Sequence, residues 1–170
     1  MTIWFISDTH FGHTNMLTFR QDNGELVRPG FSSVAEMDEI MVERWNAVVR
    51  PSDKIYHMGD VAMRKQDLPI VKRLHGHKRL IRGNHDIYRT KDYLAVGFEE
   101  ILGMRVMNNI LFTHVPVHPD SIKFRWFGNA HGHIHERPSP PGKYVNLSVE
   151  QINYTPVTLE QVEQLLKVRA

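Results

Sequence analysis

Aspartate, histidine and asparagine recur in five short islands between residues 8 and 135. These are Asp8-Thr9-His10, Gly59-Asp60, Gly83-Asn84-His85-Asp86, Thr113-His114 and Gly132-His133-Ile134-His135. Setting aside the threonines, glycines and Ile134, every side chain in them can bind a metal or carry a proton. On an extended segment, residues i and i+2 share a face roughly 7 Å apart. Asp8 with His10, and His133 with His135, are therefore expected to converge in pairs on a cation from strand ends. Carboxylate and amide oxygens mixed with imidazole suit Mn²⁺, Fe or Zn²⁺ better than Ca²⁺. A carboxylate such as Asp60 has two oxygens with which to bridge two ions, and ions about 3.5–4 Å apart serve in-line displacement at phosphorus. The residue types point to a binuclear metal centre that hydrolyses a phosphoester.

Such a centre needs rigid elements to aim it. Residues 3–6 form an apolar run expected to be a buried strand ending at Ser7-Asp8. From Ser33 the period changes: Val34, Met37, Ile40, Met41, Trp45 and Val48 recur at helical spacing. Ser33 and Glu36 are placed for a capping box, and the helix should stop before Pro51. Residues 54–58 read as a strand delivering Gly59-Asp60, residues 68–74 as a short helix broken at Gly76, and residues 79–82 as a strand delivering Gly83-Asn84-His85-Asp86. That alternation predicts an α/β fold. Residues 103–107 and 110–113 flank Asn108-Asn109 as a hairpin. Residues 143–149 make another strand, and residues 159–168 a closing helix. No repeat or linker divides the chain, so one domain over 1–170 is expected, with 138–142 a surface loop.

Composition fits that reading. At 170 residues, with 41% hydrophobic and 24% charged side chains, the chain suits one globular domain. A net charge of +2 is too small to imply a polyanion-binding surface, so nucleic acid is not indicated as a partner. The absence of cysteine excludes disulfides, thiolate zinc sites and cysteine nucleophiles. No apolar run reaches the ~20 residues of a membrane span. The short apolar start lacks a basic leader, so a cytoplasmic location is the default expectation and no membrane partner is expected.

The ordered set Asp-x-His, Gly-Asp, Gly-Asn-His-Asp, His and Gly-His-x-His resembles that of the calcineurin-like metallophosphoesterases. It spans residues 8 to 135, about three-quarters of the chain. The resemblance implies a sandwich of two mixed β-sheets flanked by helices, with metals at strand C-terminal ends. It implies two divalent ions, Mn foremost, with Fe, Zn or Mg as alternatives. Asp8, His10 and His135 would hold one, Asn84, His114 and His133 the other, with Asp60 bridging. A hydroxide between the metals would attack phosphorus while His85 acts as general acid, supported by Asp86. The chain departs from the phosphoprotein phosphatases of that superfamily, because Gly59-Asp60 continues as Val61-Ala62-Met63-Arg64 instead of leading into Asp-Arg-Gly. This favours a small, cap-less bacterial or phage-type enzyme acting on a small phosphoester: a phosphodiester, nucleotide-type or cyclic, ahead of a broad-specificity phosphomonoesterase. A non-catalytic scaffold stands as a distant third, since every ligand candidate is retained. The oligomeric state is left open.

Other residues carry weaker signals. His13 is a candidate phosphate contact or a packing residue. Arg20 and Arg28 flank Gln21-Asp22-Asn23-Gly24 and either clamp an anion or lie in solvent. His57 reads as a core histidine, His75 and His77 as surface residues and His118 as a loop residue near the site. His131 does not read as a ligand. Residues 123–127 interleave basic and aromatic side chains, as a base-stacking strip or a packing segment would.

Overall fold

Phe5 and Ile6 are both fully buried, yet neighbouring strand residues face opposite sides. Their sheet must therefore be covered on both faces. The computed structural model, which describes residues 1–168, shows how. β1 (Ile3–Ile6), β2 (Lys54–His57), β3 (His77–Ile81) and β4 (Phe98–Leu102) run parallel. A second sheet contains β5 (Arg105–Met107), β6 (Ile110–Phe112), β7 (Gly128–His131) and β8 (Tyr144–Asn146) in that order, with only β5 antiparallel. β9 (Val157–Thr158) adds antiparallel to β1, giving the first sheet the order β4-β3-β2-β1-β9. The architecture is the expected α/β sandwich of two mixed sheets flanked by helices.

Between the sheets, Phe5, Tyr56, Met58 and Ile81 meet Ile110, Phe112, Ala130, Val145 and Leu147. Phe5 stacks on Phe112 with ring centroids 4.2 Å apart, an arrangement worth about 0.5–1.5 kcal/mol beyond its area. On the other face of the first sheet, Ile6, Ile55 and Leu80 pack under α1 (Val34–Val48) through Met37, Met41 and Trp45. The closing helix α4 (Leu159–Val168) seals the interior edge with Leu159, Val162 and Leu166. Two short helices, α2 (Thr90–Leu94) and α3 (Pro119–Ile122), fill the loops before β4 and β7. Among the described residues no helix is long and apolar enough to cross a membrane.

Several elements differ from expectation for local reasons. The Ser33 hydroxyl caps α1 by accepting from Glu36 N–H at 3.1 Å, but the Glu36 carboxylate returns to Ser32 N–H, so the box is only half formed. The helix expected at 68–74 is a 3-10 helix over Lys65–Arg73, in keeping with Pro69 inside it. The segment 143–149 pairs regularly only over Tyr144–Asn146, after which Ser148 forms an isolated bridge with Ser7, the residue following β1. β4, β7 and β9 lie outside the expected strands. β7 reads Gly-Asn-Ala-His, a sequence with little strand propensity. It is held by Asn129, whose amide donates to Leu111 O and Thr113 Oγ1, both at 2.9 Å. The Asn108-Asn109 hairpin forms as expected, with both residues at positive φ.

His57, at the end of β2, is the core histidine the sequence suggested. Gly59 N–H donates to its Nδ1 at 3.2 Å, so the proton sits on Nε2, which faces Thr9 Oγ1 at 2.9 Å. Burial pushes its pKa down from 6.5 to about 3. The unfolded chain therefore takes up this proton first. Stability is complete above about pH 6.5 and is lost as pH falls toward 3, by about 3 kcal/mol between pH 7 and 4. His57→Gln should flatten that part of the profile in urea melts at pH 7 and 4; an unchanged slope would contradict this account.

Candidate metal centre

The parallel ladder of the first sheet does not stop at its strand ends. Asp8 N–H donates to Gly59 O, His10 N–H to Asp60 O and Phe11 N–H to Val61 O, at 2.9, 3.0 and 2.9 Å. The loop after β1 is thereby zipped to the loop after β2, bringing Asp8 and His10 beside Asp60. The backbone there is not extended as the i, i+2 argument supposed. Asp8, His10, Asp60, His133 and His135 all have positive φ, between 47° and 72°. Such conformations cost of order 1–3 kcal/mol each and persist only where the surroundings enforce them. His133 and His135 accordingly turn to different groups of side chains.

Two clusters result. Asp8, His10 and His135 place one ligand atom each within 4.8 Å of one another, and Asp60, His114 and His133 do the same. Asn84 adjoins the second, its Oδ1 2.9 Å from His114 Nε2. All seven ligand candidates are thus brought together. Asp60 joins the clusters through a single oxygen. Oδ1 accepts the His85 backbone N–H at 2.9 Å, while Oδ2 lies 3.6 Å from His10 Nε2 and 3.4 Å from His114 Nε2. Of the two oxygens expected to bridge, only Oδ2 faces His10 and His114, because Oδ1 holds the loop. Close approach depends on glycine: a Cβ on Gly132 would collide with Ser7 Oγ and Asp8 Oδ2, and one on Gly83 with Asp60 Oδ1.

The donor set fits divalent cations. Asp8 Oδ2 is satisfied by His133 N–H and the Ser148 hydroxyl, at 2.9 and 3.0 Å. Asp8 Oδ1 and both ring nitrogens of His10 are buried without a hydrogen-bond partner. Buried polar atoms without a partner are costly, and Asp8 Oδ1 and the unprotonated His10 nitrogen are acceptors that a cation would satisfy. His114 Nδ1–H donates to Met58 O at 2.8 Å, which fixes Nε2 as the atom facing Asp60 and Asn84. Burial opposes charging of His114, yet Asp60 and Asp8 outweigh it and hold its pKa up to about 9. For Asp60 burial pushes upward, but His114 and His10 bring its pKa down to about 2. The two carboxylates thus favour the charged form of His114.

His85 is exposed at the rim, its ring centroid 5.5 Å from that of His10. Asp86 does not support it. Asp86 Oδ2 accepts from Asp60 N–H and Gly83 N–H, both at 2.8 Å, and Oδ1 from Val61 N–H at 3.1 Å and the Tyr93 hydroxyl at 3.4 Å. With four donors already in place, the carboxylate braces the loops that carry Asp60 and Asn84, and the expected contact with His85 is absent.

Sequence reasoning missed Glu150 and misjudged Arg28. Arg28 is neither a clamp nor solvated: it is buried, donating to Thr9 O at 2.9 Å, Asp8 O at 2.5 Å and Glu150 Oε1 at 2.7 Å. The same Glu150 oxygen accepts His135 Nδ1–H at 3.1 Å, leaving His135 Nε2 facing Asp8 Oδ1 at 4.0 Å. A carboxylate behind a ligand histidine fixes its tautomer and raises its basicity. Burial pushes the Glu150 pKa upward, but Arg28 and His135 win and hold it low. A lone acid after a strand gave no local signal, since its partners lie 122 and 15 residues away. Glu150→Gln should weaken metal binding at the His135 cluster about 10–100-fold, read by calorimetry, and lower the melting temperature because Arg28 loses its counter-charge. Unaltered affinity would show that Glu150 serves the fold alone.

The remaining histidines stay outside the clusters. His13 is half-buried, its ring 5.7 Å from those of both His10 and Phe19. His131 Nδ1–H donates to Gly132 O, His77 pairs with Glu99 on the surface, and His118 caps α3. The strip 123–127 runs away from the centre. Phe127 N–H donates to Asn109 O at the opposite end of β6, and Lys143 lies 4.3 Å over the Phe127 ring.

Comparison with known proteins gives concordant results. The model of the family described as calcineurin-like phosphoesterase matches residues 1–167. The uncharacterized protein MJ1445 of Methanocaldococcus jannaschii is 34% identical over 175 residues, covering 97% of this chain and 91% of its own. Among solved structures, the protein AQ665 from Aquifex aeolicus, described as of unknown function, superposes with a TM-score of 0.73 at 26% identity, covering 96% of this chain and 98% of that one. Pseudomonas putida nuclease MPE shares the fold with a TM-score of 0.52 at 16% identity, over 78% of this chain and 61% of its own.

Proposed function

Because the chain belongs to the calcineurin-like phosphoesterase family, we propose that it is a metal-dependent phosphoesterase whose seven ligand residues hold two divalent ions and whose preferred substrate is a phosphodiester. The observation that carries this reading is Asp60 Oδ2, which lies 3.4 Å from His114 Nε2 in its own cluster and 3.6 Å from His10 Nε2 in the other. Two ions there would supply Lewis acidity and an activated water for in-line attack at phosphorus.

The protein's own groups do the rest. Asp8, His10 and His135 form one half of the cradle; Asn84, His114 and His133 form the other. Arg28, Glu150, Ser148 and Asp86 hold those side chains and their loops in place. His85, at the open rim, delivers a proton to the departing oxygen, which matters most for poor leaving groups such as a sugar hydroxyl. Room beside His133 and His135 for a second substituent on phosphorus supports a diester over a monoester.

The test is hydrolysis of bis-p-nitrophenyl phosphate, a cyclic nucleotide and p-nitrophenyl phosphate by metal-free protein resupplied with Mn²⁺, Fe²⁺, Zn²⁺ or Mg²⁺. Metal-dependent turnover with the diesters ahead is expected, Mn²⁺ being the best support. A monoester lead would shift the assignment to a phosphomonoesterase. No turnover with any pair would defeat it.

A further inference from the structure

A cavity of about 340 Å³ opens beside the two clusters, bordered by His133 and His135. That size is within the usual range for small-molecule sites. Its floor is apolar, from Met16 and Val27, both buried. Its wall includes Phe19, a large aromatic left 45% exposed, and Arg20, Ile134, Glu136 and Arg137 complete the lining. The wall is built in advance. Val27 N–H donates to Phe19 O at 2.9 Å, Arg20 and Leu26 pair as an antiparallel bridge, and the Arg20 guanidinium donates to Gly24 O at 2.7 Å. His13 links the wall to the centre, its ring 5.7 Å from His10 on one side and from Phe19 on the other. His85 does not line this cavity.

We propose that this cavity is a nucleoside subsite, in which Phe19 stacks the base of a nucleotidyl ester while Arg20 and Arg137 flank it. This deepens the hydrolase reading and rests on it. An exposed aromatic ring with two arginines lining the same cavity matches the flat ring and polar edges of a base, whereas an acyl chain would gain nothing from the two cations. Because His133 and His135 border the cavity and His85 does not, the nucleoside is the group retained on phosphorus. The group that leaves is the one on the side of His85, and the product is a nucleoside monophosphate. In that step water adds to phosphorus, the P–O bond to the other substituent breaks, and the departing oxygen takes a proton.

The test compares two diesters with one leaving group, thymidine 5′-(p-nitrophenyl phosphate) and methyl p-nitrophenyl phosphate, using the Mn²⁺-loaded full chain. The expected kcat/KM ratio is at least tenfold in favour of the thymidine ester. Phe19→Ala should collapse the ratio toward one and Phe19→Tyr should keep it. By calorimetry, thymidine 5′-monophosphate should bind at least tenfold more tightly than inorganic phosphate, and Phe19→Ala should narrow that gap. A wild-type ratio near one, or a ratio that survives Phe19→Ala, overturns the subsite. Hydrolysis of neither ester defeats the hydrolase reading instead, and the calorimetric comparison still decides the subsite.

Discussion

Asp60→Asn is expected to lower kcat/KM on any substrate by at least about 10³-fold, roughly 4 kcal/mol of transition-state stabilisation, and to weaken binding of both metal ions. The geometry explains why one atom has so large an effect. Asp60 Oδ1 accepts the His85 N–H, so an asparagine keeps its oxygen on that side and turns its amide NH₂ to where Oδ2 stood. A donor then faces His10 and His114 in place of the acceptor that lies within 3.6 Å of both. The loop is preserved while the bridge is lost. Calorimetry should show both sites weakened in a protein with a native circular dichroism spectrum. A variant retaining one tight site and normal turnover would refute the bridging role.

His85→Ala is expected to cost about 10²–10⁴-fold in turnover without changing metal stoichiometry. The side chain is exposed, and only its backbone N–H is tied into the cradle, so alanine leaves that hydrogen bond in place. The loss should grow as the leaving group becomes more basic: small for p-nitrophenol, full for an alkyl or ribose alcohol. Rates across a series of phenyl and alkyl diesters give the dependence directly. Loss of a metal ion in this variant would make His85 a ligand and remove its assignment as acid.

The clustered side chains were legible in the sequence because they belong to an unusual residue set and those up to His114 follow strand-like runs. The helix 34–48, the strands at 3–6 and 54–57, the asparagine hairpin and the closing helix were legible through period, caps and turn chemistry. What escaped was set by long-range contacts. β7 is strand by virtue of its neighbours and Asn129, against its own propensity. The ligand loops look extended in sequence, yet hydrogen bonding to the adjacent loop twists them into left-handed backbone. Glu150 acts on His135 together with Arg28, which meets it from 122 residues away, and no local pattern reports such a triad. Asp86 lies beside His85 in sequence, yet its carboxylate is turned to four donors elsewhere in the fold.

The most direct test of the two-ion cradle is a calorimetric titration of the metal-free protein with Mn²⁺, with hydrolysis of bis-p-nitrophenyl phosphate followed on the same samples. The account predicts two ions per chain, with turnover rising as the second site fills. One ion per chain at full turnover, or turnover that persists in excess chelator, would contradict it.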